Sequence, residues 1–448
     1  MEKILVKNHT TIKETMRAID RGGIHIAIVV DNGKLIGVIS DGDIRRGILR
    51  GMNIDEPITS IVNIKPTVGV EGTSDFEIRS LLQLDKISGF PLPIVDSENR
   101  VKDIALIKNS QLIYYNRTTV QHQQHNKILV IGGGGYIGSI LVRTLLQRGY
   151  KVNVLDKFIY GKDSLADIEN TKLQIIEGDT RHIEDMTHAL QDVDAVVHLA
   201  EVVGDPACAA DPSFAQESNY LATKMIADIC KYFQINRFVY ASSCSVYGAS
   251  KDKLITESSA VAPISLYGKL KVAAENGLTE MMDENFSPTI LRLSTVFGMS
   301  HRPRFDLVVN LLTAQAVSQG EITIFGGDQW RPNVHVSDVA ETITALLECP
   351  IEDVGGKIFN VGSEENNHTI TEIGELIKTA VPSVSIIMDK SQIDRRDYRV
   401  SFDLLHRTIK IKMKSVEYGI NEVKEAITSG KIKDYTHIRY NNYKFLTK

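Results

Sequence analysis

KILVIGGGGYIGS, Lys127 to Ser139, decides the fold of the larger part of this chain. A buried strand, Ile128 to Ile131, runs into four consecutive glycines and then into SILVRTLLQRGY, whose apolar spacing predicts an amphipathic helix. Glycine suits such a turn because the chain bends tightly, approaches a pyrophosphate closely and packs the helix hard on the strand. The helix N-terminus then offers unpaired N–H groups to the phosphates. Two phasings fit: Gly133, Gly135 and Gly138 as GxGxxG, or Gly132, Gly135 and Gly138 as GxxGxxG. A second strand, Lys151 to Leu155, ends on Asp156, a carboxylate able to hold a ribose 2′-hydroxyl and to repel a 2′-phosphate. The pattern predicts NAD rather than NADP.

Strand and helix go on alternating, which predicts a doubly wound α/β sheet. LQIIE at 173–177 ends at Gly178-Asp179-Thr180, where the Asp179 carboxylate can accept from an adenine amino group. DAVVHL at 194–199 is followed by Ala200-Glu201, and RFVYA at 237–241 runs into SSCSVYG. Ligands bind at the carboxyl ends of such strands, so Asp179, Ala200 and Ser243 should converge. Tyr267 and Lys271 lie four apart at the start of a predicted helix and share one face. An ammonium beside a phenol lowers its pKa, and a phenolate so tuned is a general base for an alcohol.

With those motifs in view, residues 127 to about 430 resemble the extended short-chain dehydrogenase/reductases, specifically the nucleotide-sugar epimerases and dehydratases. The resemblance implies an NAD(P)-binding Rossmann fold with a small C-terminal substrate domain. It implies cofactor contacts from Gly132, Gly135, Tyr136, Ile137 and Gly138 in the glycine loop and from Asp156, Asp179 and Thr180 at two strand ends. Leu199 and Ala200 follow from HLAE, and Tyr267 and Lys271 from YGKLK. The catalytic set implied is Ser243, Tyr267 and Lys271, oxidising a nucleotide-diphosphate sugar at C4 to a 4-keto intermediate. Dehydratases of the family carry an Asp-Glu pair where this chain has Cys244-Ser245, which disfavours dehydration. An epimerase that re-reduces the ketone is the first expectation; a 4-dehydrogenase releasing the keto sugar is the alternative, and a non-catalytic NAD-binding sensor a third reading against which the intact triad argues. Ser245 fits a substrate hydrogen bond and Cys244 a spacer facing the core.

After the strand-like TILRLSTVFG come segments that in the family form the substrate domain. There Arg331 is expected to grip the diphosphate, with Arg395 and Arg396 as further phosphate ligands, since a guanidinium fork matches phosphate oxygens. Arg302 and Arg304 fit either a phosphate contact or loop anchoring, and Arg399 a solvated surface. VGDPAC at 203–208, RPRFDLVVN at 302–310 and DRRDYRVS at 394–401 are similar to oxidoreductases acting on GDP-linked sugars, which leaves the base open.

Ahead of the glycine loop lies an internal repeat. Residues 11–40 read as helix, strand, turn, strand, and residues 73–106 repeat the order, with Val30-Asp31 matching Val95-Asp96. Neither half buries its sheet alone, so the two should pack together. Residues 1–112 resemble an α/β CBS domain pair; 113–126 read as a linker, and 127–448 as the dehydrogenase-like part. In GVISDGDI the resemblance implies that Ser40 and Asp43 contact an adenine nucleotide; the second repeat has no such pair.

The net charge of −5 gives no basic field for nucleic acid. The four cysteines have no metal or disulfide spacing, which fits a reducing cytoplasm, and no metal site is expected. The N-terminus lacks the apolar core of a signal peptide, and no apolar run spans a membrane. Both resemblances imply a homo-oligomer.

Overall fold

The structure, a computed structural model, describes residues 4–22, 24–73, 78, 81–82, 91–108, 111–114, 127–248, 254–283, 286–391 and 397–448. The chain divides into two compact units, Met1–Gln121 and His122–Lys448. No helix among the described residues is long and apolar enough to cross a membrane.

In the first unit, β1 (Leu5–Val6), β2 (Ile26–Asp31) and β3 (Lys34–Ser40) form one sheet, accompanied by α1 (Ile12–Gly22) and α2 (Asp41–Leu49). A second sheet holds β4 (Gly69–Val70), β5 (Leu92–Val95), β6 (Val101–Lys108) and β7 (Gln111–Tyr114). The repeat is visible in the backbone: the β2–β3 hairpin shifts register between Val29 and Val30, and the β5–β6 hairpin between Ile94 and Val95, the matching places. The two halves bury a common cluster, Ile26, Ile28 and Leu35 from one and Val95, Val101 and Ile104 from the other. Ser40 caps α2. Its Oγ accepts from Asp43 N at 3.2 Å, while Asp43 Oδ2 accepts from Ser40 N at 2.9 Å and from Ser40 Oγ at 2.6 Å. The hydroxyl and the aspartate three residues on are thus engaged with each other in a capping box, and Arg46 pairs with the aspartate's other oxygen.

The second unit is organised on seven strands: β8 (Lys127–Ile131), β9 (Lys151–Asp156), β10 (Leu173–Glu177), β11 (Ala195–His198), β12 (Arg237–Ser243), β13 (Thr289–Leu293) and, further on, β17 (Ile358–Val361). They pair in parallel in the order β10-β9-β8-β11-β12-β13-β17. Alternate residues feed opposite faces. Ile128, Val130, Val152, Val154 and Val197 enter one core with Leu141, Val142 and Leu145 of α3 (Gly138–Gln147). Leu129, Ile131, Leu155, Val196 and Phe238 enter the other with α4 (Ala222–Tyr232) and α5 (Leu266–Glu280). Burial on both faces is why these strands read as continuous apolar runs. The order reverses between β8 and β11, which opens a crevice at their carboxyl ends.

TILRLSTVFG is not one strand: β13 stays in the large sheet, and beyond Ser294 the chain continues as β14 (Thr295–Phe297) in a smaller one. There β14 pairs with β16 (Trp330–His335), which pairs with β18 (Asn367–Thr369), while β15 (Glu321–Phe325) pairs with β19 (Ser385–Asp389). These strands cover a third core, containing Phe297, Val309, Ile322, Ile324 and Ile373. The chain ends in α6 (Asn442–Leu446).

Candidate functional site

At the turn after β8, Gly132 has φ +87°, and a Cβ on it would lie 2.8 Å from the amide nitrogen of Ala200 at the end of β11. A Cβ on Gly138 would lie 2.1 Å from Gly132 O, so α3 begins flush against the turn. These contacts select the GxxGxxG phasing. Asp156 ends β9 and steadies the loop: one carboxylate oxygen accepts from Gly134 N at 2.8 Å and the other from Phe158 N at 2.7 Å. Burial raises its pKa, and those two N–H bonds oppose the rise.

Across the crevice, α5 carries Tyr267, Lys271 and Glu275 four residues apart in one row. Glu275 anchors the row: its carboxylate takes Arg292 of β13 at 2.7 to 3.2 Å and the Ser242 hydroxyl of β12, all buried. Since strand neighbours face opposite ways, Ser243 points away from that network; it lines the cavity with Tyr267 and is near enough to lower the phenol's pKa. Lys271 Nζ lies 2.6 Å from Glu201 Oε2, with Ala241 O as a second partner, and sits 5.7 Å from the centroid of the Tyr267 ring.

Spacing alone predicts a phenol acidified by its neighbouring ammonium, and here the structure differs. Burial drives the Tyr267 pKa well above that of a free phenol, and Glu201 adds to the rise against the Ser243 hydrogen bond. The carboxylate of Glu201 offsets the Lys271 charge at close range.

All residues expected to hold the dinucleotide, from Gly132 through Asp179 and Ala200 to Lys271, line one cavity of about 530 Å³, as do Ser243 and Ser245. Asp179 is engaged already, at 2.8 to 3.2 Å from Arg181 and 2.9 Å from Lys157, and Arg181 foremost holds its carboxyl below the usual range. Ser245 N donates to Ser243 Oγ at 3.1 Å. Cys244 is buried, its thiol pushed up to about 12 by desolvation, as fits a spacer. Arg331 is buried on β16 with Nη1 donating to Trp330 O at 2.7 Å, and it is not among the cavity's lining residues. Arg395 and Arg396 lie outside the described residues. Arg399 is exposed, with its guanidinium 4.7 Å from the Trp330 ring.

Arg302 and Arg304, expected either to contact phosphate or to anchor a loop, also line the cavity. Arg304 is anchored to Asp306 at 2.9 and 3.0 Å. Arg302 instead stacks 3.8 Å over Tyr160, and its Nε and Nη2 are buried without hydrogen-bond partners among the described residues. Burial lowers its pKa to about 10. Glu201, Tyr398, Asn441, Asn442, Tyr443 and Leu446 line the same space. Phe445 of α6 lies 5.2 Å from Tyr160, and Leu446 packs on the cluster containing Val202 and Tyr267. The paired aromatic and amide residues of NNYKFL, Asn441 to Leu446, are the only local signal for that segment.

The model of the NAD dependent epimerase/dehydratase family matches residues 128–362, and that of the CBS domain residues 2–50. A UDP-glucose epimerase of Bacillus subtilis (strain 168), YtcB, described as uncharacterized, is 32% identical over 250 residues, covering 53% of this chain and 77% of the relative. The UDP-glucose 4-epimerase of Lactobacillus helveticus is 29% identical over 256 residues, 53% of this chain and 76% of its own. Among solved structures, the UDP-glucuronic acid 4-epimerase of Bacillus cereus, in complex with UDP-glucuronic acid and NAD, aligns with a TM-score of 0.61 and 26% identity over 68% of this chain and 99% of its own.

The cavity fits a dinucleotide on its own geometry. Side chains are excluded at Gly132 and Gly138, where a diphosphate needs bare backbone, and the start of α3 faces the opening with a carboxylate at the end of the next strand.

Proposed function

Because the chain belongs to the NAD dependent epimerase/dehydratase family and carries a CBS domain ahead of that part, we propose that it inverts C4 of a nucleotide-diphosphate hexose through a 4-keto intermediate. NAD, when bound, supplies the reversible two-electron couple. Tyr267 accepts the proton of the sugar hydroxyl as its carbon is oxidised and returns one when the ketone is reduced from the other face. Ser243 donates a hydrogen bond to the reacting oxygen and holds it in line with the phenol. Lys271 fixes the ribose beside the reacting carbon. Gly132, Gly135 and Gly138 cradle the diphosphate of the cofactor, and Asp156 holds its ribose.

The observation that carries this reading is that Ser243, Tyr267 and Lys271 line one cavity together with the glycine loop, with Cys244-Ser245 in the place of a carboxylate acid and base. A thiol pushed up to about 12 is no acid or base for expelling a hydroxyl. UDP-glucose and UDP-glucuronic acid are the first candidates, being named for the relatives in hand. Proton NMR of the purified enzyme with NAD and each UDP-, GDP- and CDP-hexose in turn tests the reading. Interconversion of C4 epimers is expected for one of them. Accumulation of a 4-keto sugar with stoichiometric reduced nicotinamide would replace the epimerase by a 4-dehydrogenase, and a 6-deoxy product would overturn both.

A further inference from the structure

Beyond β11 the chain passes through Leu199 and Ala200 to Glu201, whose side chain is 2% exposed. Its oxygens face different partners. Oε1 accepts from Tyr240 OH at 2.6 Å, and Oε2 lies 2.6 Å from Lys271 Nζ. A carboxylate removed from water to this degree persists as an anion only beside a cation or strong donors. The cation here is the residue that, under the reading of Tyr267 as the base, steers the phenol and holds the cofactor. The ammonium is held on its other sides by Ala241 O and the face of the Tyr240 ring, 4.7 Å from its centroid.

We propose that Glu201 is a positioning residue that clamps the Lys271 ammonium against the end of β12 and withholds its charge from the Tyr267 phenol. The inference rests on the proposed function in taking Tyr267 as the proton acceptor. With Glu201 ionised, the pair it forms with Lys271 is neutral, so a phenolate at Tyr267 would be an unbalanced negative charge in a buried site. Such a base ionises only when positive charge is added beside it or when Lys271 is drawn away. An oxidised nicotinamide ring brings positive charge, so the acceptor would be armed by loading of the cofactor.

Burial raises the Glu201 pKa, Lys271 and then Tyr240 oppose the rise, and the other surrounding groups do not upset that balance. From β11, His198 is buried and its pKa is lowered to about 3, first by desolvation and then by Lys271, so it stays neutral. From α5, Glu275 is committed to Arg292. On the short helix Asp205–Ala210, desolvation pushes the Cys208 thiol up to about 12, and Asp205 is a further carboxylate near it. Arg304, paired with Asp306, lowers the Tyr267 value only after burial, Glu201, Ser243 and Cys208 have had their larger effects. Among these described neighbours, Lys271 is the cation beside the Tyr267 ring, and Glu201 is what masks it.

Glu201→Gln keeps the shape and the acceptor for Tyr240 OH while removing the charge. The test is a pH titration of phenolate absorbance on the full-length enzyme, each trace differenced against Tyr267→Phe in the same background. In Glu201→Gln the Tyr267 phenolate should appear roughly one to three pH units lower than in wild type, the span of an unmasked neighbouring charge. The acid limb of kcat/KM should move with it. A titration that coincides with wild type, or lies above it, overturns the proposal, as does a variant that only melts at lower temperature. If the absorbance shifts and the rate limb does not, Tyr267 is not the base and the proposed function fails, while Glu201 keeps its assignment. Should Glu201→Gln not fold, Glu201→Asp retracts the carboxylate from Lys271 by one methylene; a downward shift there supports the proposal and an unchanged midpoint refutes it.

Discussion

Tyr267→Phe removes one oxygen from the cavity floor, and the structure sets what that should cost. The ring packs with Val202, Ala207, Cys208 and Leu270, contacts that phenylalanine keeps. Ser243 loses the phenol but retains Ser245, whose Oγ and N lie at 3.2 and 3.1 Å. Stability should therefore change by no more than the net worth of one hydrogen bond, about 0.5–1.5 kcal/mol. NAD affinity should stay near wild type, because the glycine loop and Asp156 are on other strands. The rate should fall by roughly 10²- to 10⁴-fold, the range for a positioned general base, or about 3 to 5 kcal/mol of barrier. Stopped-flow absorbance of reduced nicotinamide, with calorimetric titration of NAD, reads both quantities on one sample. Turnover within about tenfold of wild type would refute the assignment of the base, and lost NAD binding would refute the separation of the two roles.

Glu275→Gln should destabilise the second unit by roughly 3–5 kcal/mol, because it leaves the buried Arg292 guanidinium without its carboxylate; urea unfolding that shows under about 1 kcal/mol would contradict the anchoring role. Arg302→Ala gives up the stack on Tyr160, so stability should fall by about 0.5–2 kcal/mol, and one diphosphate ligand should bind roughly 10- to 100-fold more weakly; calorimetry with NAD and with UDP distinguishes which, and unchanged affinity for both is the contrary result. Asp179 is held below the usual carboxylate range, first by Arg181 and then by Lys157, so its contribution to stability is full above the unfolded value of about 4 and lost as pH falls through the depressed folded value. Asp179→Asn should therefore lower the melting temperature at neutral pH, and its stability should depend less on acidification than that of wild type; parallel curves for the two proteins would contradict this.

The large sheet was legible because both faces of its central strands are buried: strands such as Ile128–Ile131 and Ala195–Val197 appear as unbroken apolar runs between helical patterns. The glycine loop, Asp156, Ser243, Tyr267 and Lys271 were legible because each sits at a fixed place relative to a strand end or a helix start. The repeat in the first unit survived in its hairpins, down to the register shift at Val30 and Val95. What stayed hidden depends on partners distant in sequence. TILRLSTVFG gives no sign that the chain changes sheet at Ser294, because both halves are apolar and only the pairing of β14 with β16 moves it. Glu201 is visible at a strand end, but its pairing with Lys271 is not, because the row along α5 delivers that lysine to it. Helical spacing brings two side chains onto one face and is silent about a third group competing for the same charge. Arg302 and Arg304 look alike in RPRFD; Asp306 engages one and Tyr160 stacks against the other.

Under the proposed function one carbon of a nucleotide sugar is oxidised and re-reduced within the same cavity. UDP-glucose carrying deuterium at C4, incubated with enzyme and NAD in ordinary water and followed by NMR and mass spectrometry, tests this most directly. A C4 epimer that keeps the deuterium on the same carbon is expected. Inversion with the label lost to water would contradict it.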